Sequence, residues 1–339
     1  MMRIHARGFY IATLFALFAV ITLMLLLIPS MRDLTNENIV IAVYYYVWYD
    51  EGLGNRHWND TLEYGFVKDK PVIGFYSSGS EDVIRWQLSL IRDAGIDVLF
   101  ISWWGPGSYE DKASRKVFSL LGEYGLKAAI LVEPFKSFNL SAYNASFWEE
   151  ILNYIYENYV TPYNNVYFKL NSKPLILSFT PVGLAYLPDD NRFTLRVVAT
   201  KLDLIKALCP SKPILWDLWP DYLAPWTKDR DSVVLKIRSD EYVAITPRFD
   251  DTHFCIVGSR RNCNSRLLDP DYTLQAYVKQ WEWIIKNKDK VKIIAIYSWN
   301  EYHERSQIEP HQDATKPSEF NYDPYSITKK YAKLLKEKN

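Results

Sequence analysis

Apolar runs alternate with amphipathic helical segments along residues 39–339, and this alternation predicts an α/β fold with a parallel sheet. Three observations point to a (β/α)8 TIM barrel rather than a doubly wound sheet. The stretch has the length of a barrel, roughly 250 residues or somewhat more. No Gly-x-Gly-x-x-Gly turn or phosphate loop follows the first strand. Polar and aromatic residues recur at the C-terminal ends of the strands, where the rim of a barrel carries its site. One N-terminal transmembrane helix is expected to precede the barrel.

Residues 9–28 form an apolar run of about the length that spans a bilayer. Arg3, His5 and Arg7 precede it, so the positive-inside rule keeps residues 1–8 in the cytoplasm and puts the rest of the chain outside. A cleaved signal peptide is the rival reading. Its apolar core is shorter, about 7–15 residues, and no Ala-x-Ala site follows here. The expected organisation is a cytoplasmic N-terminus (1–8), an uncleaved signal anchor (9–29), a polar linker (30–38) and a barrel domain (39–339). Asn-x-Ser/Thr triplets at Asn59, Asn139 and Asn144 fit an extracytoplasmic face.

Residues 38–46 (NIVIAVYYY) read as the first buried strand, followed by a loop rich in Trp, Gly and His. Residues 80–95 read as a helix, with Ser80 at its N-cap, Glu81 and Asp82 in its first turn, and Gly95 at its end. The next strand spans 96–103 and runs into Trp104-Gly105-Pro106-Gly107. A helix over 113–124 is closed by Gly125, and a strand over 126–132 ends in Glu133-Pro134-Phe135. Beyond it we expect a helix at 147–159, a strand at 173–179, a helix at 193–209 and strands at 212–218 and 240–246. A helix at 272–287 and a last strand at 291–299 complete the series, which makes seven strands, and a short basic helix follows from Ser326.

Lys+Arg and Asp+Glu both number 40, and this balance argues against a nucleic-acid partner, which needs a basic excess or patch. The chain carries 12 Trp, 25 Tyr and 16 Phe, rings that either fill the core or stack on the apolar faces of sugars. Cys255 and Cys263 share one loop-like segment and are able to pair, Cys209 is left over, and none has zinc-site spacing.

The stretch from Ile296 to Pro310 leaves an apolar run abruptly and sets Glu301, His303, Glu304 and Glu309 within nine positions. Glu301 and Glu304 would lie on opposite faces of a regular strand. If the chain leaves strand geometry near Asn300, both carboxylates face one cleft, as glycosidic bond cleavage needs. A solvated charged loop is the alternative.

Several strand ends, taken in order, resemble glycoside hydrolase family 99, the endo-α-mannosidase and endo-α-mannanase family. They are Tyr45-Tyr46-Val-Trp48-Tyr49 with His57-Trp58-Asn59; Gly74-Phe-Tyr76-Ser77-Ser78; the stretch from Gly95 to Gly105; Glu133-Pro134-Phe135; Phe249-Asp250-Asp251-Thr252; and Trp299-Asn300-Glu301-Tyr302-His303-Glu304 with Gln307-Ile308-Glu309. Tyr302 stands where the family usually has Trp, Phe135 where it has Tyr, and Arg305-Ser306 where it has Gly-Thr.

The resemblance implies hydrolysis with retention through a 1,2-anhydro sugar, with no metal and no cofactor. Glu301 is then the base on the sugar 2-hydroxyl, and Glu304 protonates the leaving oxygen and later activates water. Glu133 binds hydroxyls beside the base, and its alternative is a rim salt bridge. His57 and His303 are sugar donors or structural groups. Trp104, with Trp48 and Trp103, forms a sugar platform or plugs the barrel. Tyr46 reaches the site from the first strand, Asp251 beside Asp250 lines it or caps a loop, and Trp58 and Asn300 are counted among the substrate contacts. The expected partners are an oligosaccharide or polysaccharide, an α-mannoside by resemblance, and the membrane through the N-terminal helix. Two alternatives stand beside this hydrolase: a surface carbohydrate-binding protein on a degenerate barrel, and a hydrolase of another extracellular polysaccharide.

Overall fold

The structure is a computed structural model that describes residues 39–54, 56–59, 67–136, 140–179, 182, 186, 188–199, 215–220, 235–251, 267–268, 273–315, 320–321 and 323–337. The expected membrane helix and linker, all three cysteines and the triplet at Asn139 lie outside these residues. Among the described residues no helix is long and apolar enough to cross a membrane.

The chain from Ile39 onward carries a barrel of eight parallel strands. They are β1 (Val40–Tyr46), β2 (Val98–Trp103), β3 (Lys127–Val132), β4 (Lys173–Phe179), β5 (Thr194–Ala199), β6 (Leu215–Asp217), β7 (Tyr242–Ile245) and β8 (Ile293–Ile296). Spatial neighbours are sequence neighbours all round: β6 to β1 follow one another, β8 pairs with β1, and β7 pairs with β8. Side chains draw the remaining seam together. The Trp216 ring of β6 stacks on Tyr242 of β7 at 4.2 Å, and the Tyr242 hydroxyl donates to the Asp217 carbonyl at 2.8 Å. All seven residues of β1 are buried, as expected of a strand covered on both faces. Its side chains alternate: the Tyr44 ring packs on Phe100 and Tyr297, while the Tyr45 hydroxyl donates to Gln87 of the first helix.

The expected helix over 193–209 is corrected by β5. Residues 194–199 pair with β4 on one side and β6 on the other, and residues 200–209 lie outside the described set. Thr194, Val197 and Val198 are β-branched and favour this extended path. Arg196 breaks the apolar run, and its guanidinium is matched by Asp240 at 2.6 Å and 2.8 Å. The barrel thus has eight parallel strands where the sequence pattern assigned seven.

The outer helices are α1 (Glu81–Asp93), α2 (Tyr109–Leu120), α3 (Ala145–Ile155), α4 (Gln275–Lys286) and α5 (Asp323–Lys336). Ser80 occupies the N-cap of α1 without a side-chain capping bond, whereas Ser108 and Asn144 cap α2 and α3 through theirs. α2 therefore starts four residues before the expected Ala113. Gly95, at φ 79°, ends α1 in the left-handed conformation that glycine adopts most readily, and an added Cβ would strike Ala332 of α5.

Candidate active site

Strand register sets the floor of the site. Tyr46 of β1 lies level with Ser102 of β2, which lies level with Leu131 of β3, so Glu133 emerges just above the ladder. Ser102 donates to the Glu133 carboxyl at 2.9 Å and accepts from the Trp104 indole at 3.1 Å. Glu133 is 6% exposed. Burial pushes its carboxyl up to about 8; the Ser102 hydrogen bond pulls the other way, and the negative charge of Glu301 adds to the rise.

β8 ends at Ile296, and the chain doubles back over residues 298–308. Ser298 N–H donates to the Ser306 carbonyl, Ser306 N–H to the Glu301 carbonyl, and Ile308 N–H to the Ser298 and Trp299 carbonyls. This tight loop resolves the spacing of the two glutamates, because both leave from a turn and not from a strand. The Glu301 carboxylate accepts from the His303 backbone N–H at 3.0 Å and meets His303 Nδ1 at 3.2 Å. Glu304 is half-buried and accepts from the Tyr297 hydroxyl at 2.6 Å. The Tyr46 hydroxyl donates to that Tyr297 hydroxyl at 3.2 Å. Burial first, then the charges of Glu301, Glu133 and Glu304, hold the Tyr46 phenol well above its ordinary range. All three carboxyls thus act electrostatically on one hydroxyl.

An aromatic wall stands beside them. Trp48 stacks on His57 at 4.9 Å and lies 4.6 Å from Tyr46, with His303 at 6.0 Å and Trp104 at 6.1 Å. Trp48, His57 and Trp104 are half-buried, so each keeps some surface exposed.

Two expected substrate contacts are fully buried in this structure. Trp58 is fully buried, stacks on Tyr49 at 3.9 Å and donates to the Tyr76 carbonyl at 2.7 Å, so it supports the site from behind. Asn300 is also fully buried: its amide accepts from the Tyr46 N–H at 2.9 Å and donates to the Tyr46 carbonyl at 2.8 Å, which fastens β1 to the loop. Trp103, weighed as a platform, is fully buried and donates to Asp111 at 2.9 Å. Asp251 is fully buried beside Asp250, and Asp250 accepts from Arg305 at 3.0 Å.

Sequence reasoning passed over Ser102, Tyr297 and a buried ionic cluster behind the loop. In that cluster Arg248 and Arg305 share Asp69 and Asp313. Ser102 lay inside a quoted motif, so its place at a strand end was the available signal. Asp69 gave none, being 236 positions from its partner Arg305.

No family model matches the chain. In sequence it is similar to a glycoprotein endo-α-1,2-mannosidase of Xenopus laevis, 23% identical over 137 residues, which is 32% of this chain and 30% of that protein. It is also similar to a glycoprotein endo-α-1,2-mannosidase-like protein of Mus musculus, 22% identical over 139 residues, with the same 32% and 30% shares. The chain thus spans about a third of the length of the curated relatives it matches. In structure it is similar to the family 99 endo-α-mannosidase of Bacteroides thetaiotaomicron, with a TM-score of 0.62 and 18% identity over 87% of this chain and 97% of that one. The chain therefore resembles glycoside hydrolase family 99 in sequence over part of its length and in fold over nearly all of its barrel.

Proposed function

We propose that the chain is a glycoside hydrolase that cleaves internal α-mannosidic bonds with retention of configuration. Glu133, Glu301 and Glu304 at the C-terminal rim of a barrel, all acting electrostatically on the Tyr46 hydroxyl and Glu304 joined to it through Tyr297, carry this reading. Glu301 takes the proton of the sugar 2-hydroxyl as that oxygen attacks C1. The C1–oxygen bond to the leaving sugar breaks, and Glu304 gives its proton to the departing oxygen. In the second half Glu304 takes a proton from water, water opens the 1,2-anhydro ring at C1, and Glu301 returns its proton to O2. Neither carboxylate bonds to the sugar, which sets this route apart from the two-carboxylate nucleophilic scheme.

Glu133 supports this division of labour. A carboxyl that titrates at about 8 keeps its proton at neutral pH, so it donates to a sugar hydroxyl without adding a second charge beside Glu301. Trp48, His57 and Trp104 supply a face on which a sugar ring stacks. The apolar run at 9–28 and the basic residues before it support a membrane anchor with the barrel outside.

The test is hydrolysis of α-mannan and α-linked manno-oligosaccharides by the full chain in mild detergent, with the anomer of the first product read by NMR. Glu301→Gln and Glu304→Gln are each expected to lower cleavage by about three orders of magnitude, as loss of positioned acid–base groups does. Glycan binding without cleavage, unchanged by either substitution, would establish a carbohydrate-binding protein instead.

A further inference from the structure

Tyr297 is the first residue beyond β8, and a ring at the end of an apolar strand is ordinary core. Here that ring is 3% exposed and held on three sides, by Trp219 at 5.2 Å, Tyr44 at 5.7 Å and Tyr46 at 6.3 Å. Its hydroxyl accepts from Tyr46 at 3.2 Å and donates to Glu304 Oε2 at 2.6 Å. The second distance is that of an O–H donor on a charged acceptor. A donor of this kind fixes the carboxylate's orientation and favours its ionised form. The phenol does not change roles, because burial and then the charge of Glu304 keep its own proton in place far above neutral pH.

We propose that Tyr297 is a positioning residue for Glu304, orienting its carboxyl and restraining its hold on the proton that the reaction requires it to give up and take back. The proposal rests on Glu304 being the acid/base. The surroundings explain the need. Glu301 lies on the same loop, Glu133 at the end of β3, Tyr44 and Tyr46 on β1, and Asp250 and Asp251 after β7. Arg305, in the same loop, directs its guanidinium to Asp69, Asp250 and Asp313. Burial and neighbouring carboxylates both strengthen a carboxyl's hold on its proton, and the Tyr297 hydroxyl works against them.

Tyr297→Phe keeps the ring and removes only the hydroxyl. The protonation of Glu304 is read without substrate, by infrared difference titration of the full chain, with Glu304→Gln assigning the band. The Glu304 midpoint is expected to rise by about one pH unit, the size of one hydrogen bond to a charged group. The alkaline limb of the pH–rate profile, which reports loss of the acid's proton, is expected to rise with it. Tyr297→3-fluorotyrosine has nearly the same shape and a stronger O–H donor, so it moves both downward, and it decides the matter if the Phe variant does not fold. An unchanged midpoint in the folded variants overturns the proposal, whether or not the protein cleaves glycans. Shifted midpoints in a protein that cleaves none uphold the hold of Tyr297 on Glu304 and remove the hydrolase reading alone.

Discussion

Asn300 joins the two parts of the chain that build the site. Its side-chain amide bridges both backbone groups of Tyr46 and donates to the Tyr76 hydroxyl at 3.1 Å, while its carbonyl accepts from Tyr49 at 3.0 Å. Asn300→Ala would leave the Tyr46 N–H and carbonyl buried without that partner, so a loss of about 2–3 kcal/mol is expected. Glu301 is the next residue, so kcat should fall while KM changes little; urea unfolding and steady-state kinetics check both. A rise in KM with stability unchanged would restore Asn300 as a substrate contact. Trp58 teaches the same lesson. A strand-end motif announces which residues gather near a site, and it does not say which side chains turn toward the cleft and which turn back as struts. Glu301 and Glu304 stood out as candidates because their chemistry is polar and paired. The burial of Asn300 and Trp58 was not legible, because a buried strut and a sugar contact use the same residue types.

At the scale of elements, β1 to β4 and β6 to β8 were legible from their apolar runs. β5 was not, because Arg196 interrupts its pattern and its ion-pair partner, Asp240, is 44 positions away. The loop after β8 shows a comparable compensation. Arg305 has φ 49°, a left-handed conformation, at a position where family 99 usually has glycine. Its guanidinium donates to Asp69, Asp250 and Asp313 at 2.9–3.0 Å, all of them buried. Arg305→Gly would relieve about 1–2 kcal/mol of backbone cost. It would also remove a buried ion-pair partner, a loss of about 3–5 kcal/mol. The larger effect wins, and the variant is expected to be less stable by roughly 2–3 kcal/mol in chemical denaturation. Asp250→Asn added to it should recover part of the loss. A neutral or stabilised single variant would mean that the cluster does not hold this loop.

Across the whole molecule the buried carboxyls fall into two groups with opposite pH behaviour. Burial would raise Asp69 and Asp313, but Arg248 with His311 and Arg305 around the first, and Arg248 with Thr315 around the second, hold both below the usual range. Their contribution to stability is present above their unfolded pKa, about 4, and is lost as pH falls below it. Glu133 and Glu309 behave the other way. Burial pushes them to about 8 and about 7. For Glu309 this rise persists against hydrogen bonds from Gln87, Tyr302, Tyr76 and Trp299. Between the ordinary 4.5 and these values the folded state binds more protons than the unfolded chain, so stability falls as pH rises through that window. The two slopes together place maximal stability near about pH 5, with a decline toward about pH 8 of at least about 2 kcal/mol, measurable as urea midpoints across the range. Glu309→Gln should flatten part of that decline. Glu309 Oε2 accepts from the Tyr76 and Tyr302 hydroxyls at 3.0 Å and 2.7 Å; the Tyr302 oxygen can accept from an amide NH2 in turn, whereas the Tyr76 oxygen already accepts from Gln87 and Asn300. The variant therefore loses the titration and weakens the Tyr76 contact, while it keeps the one to Tyr302. A wild-type curve that is flat from about pH 5 to about pH 8 would show that neither glutamate is held protonated in the fold.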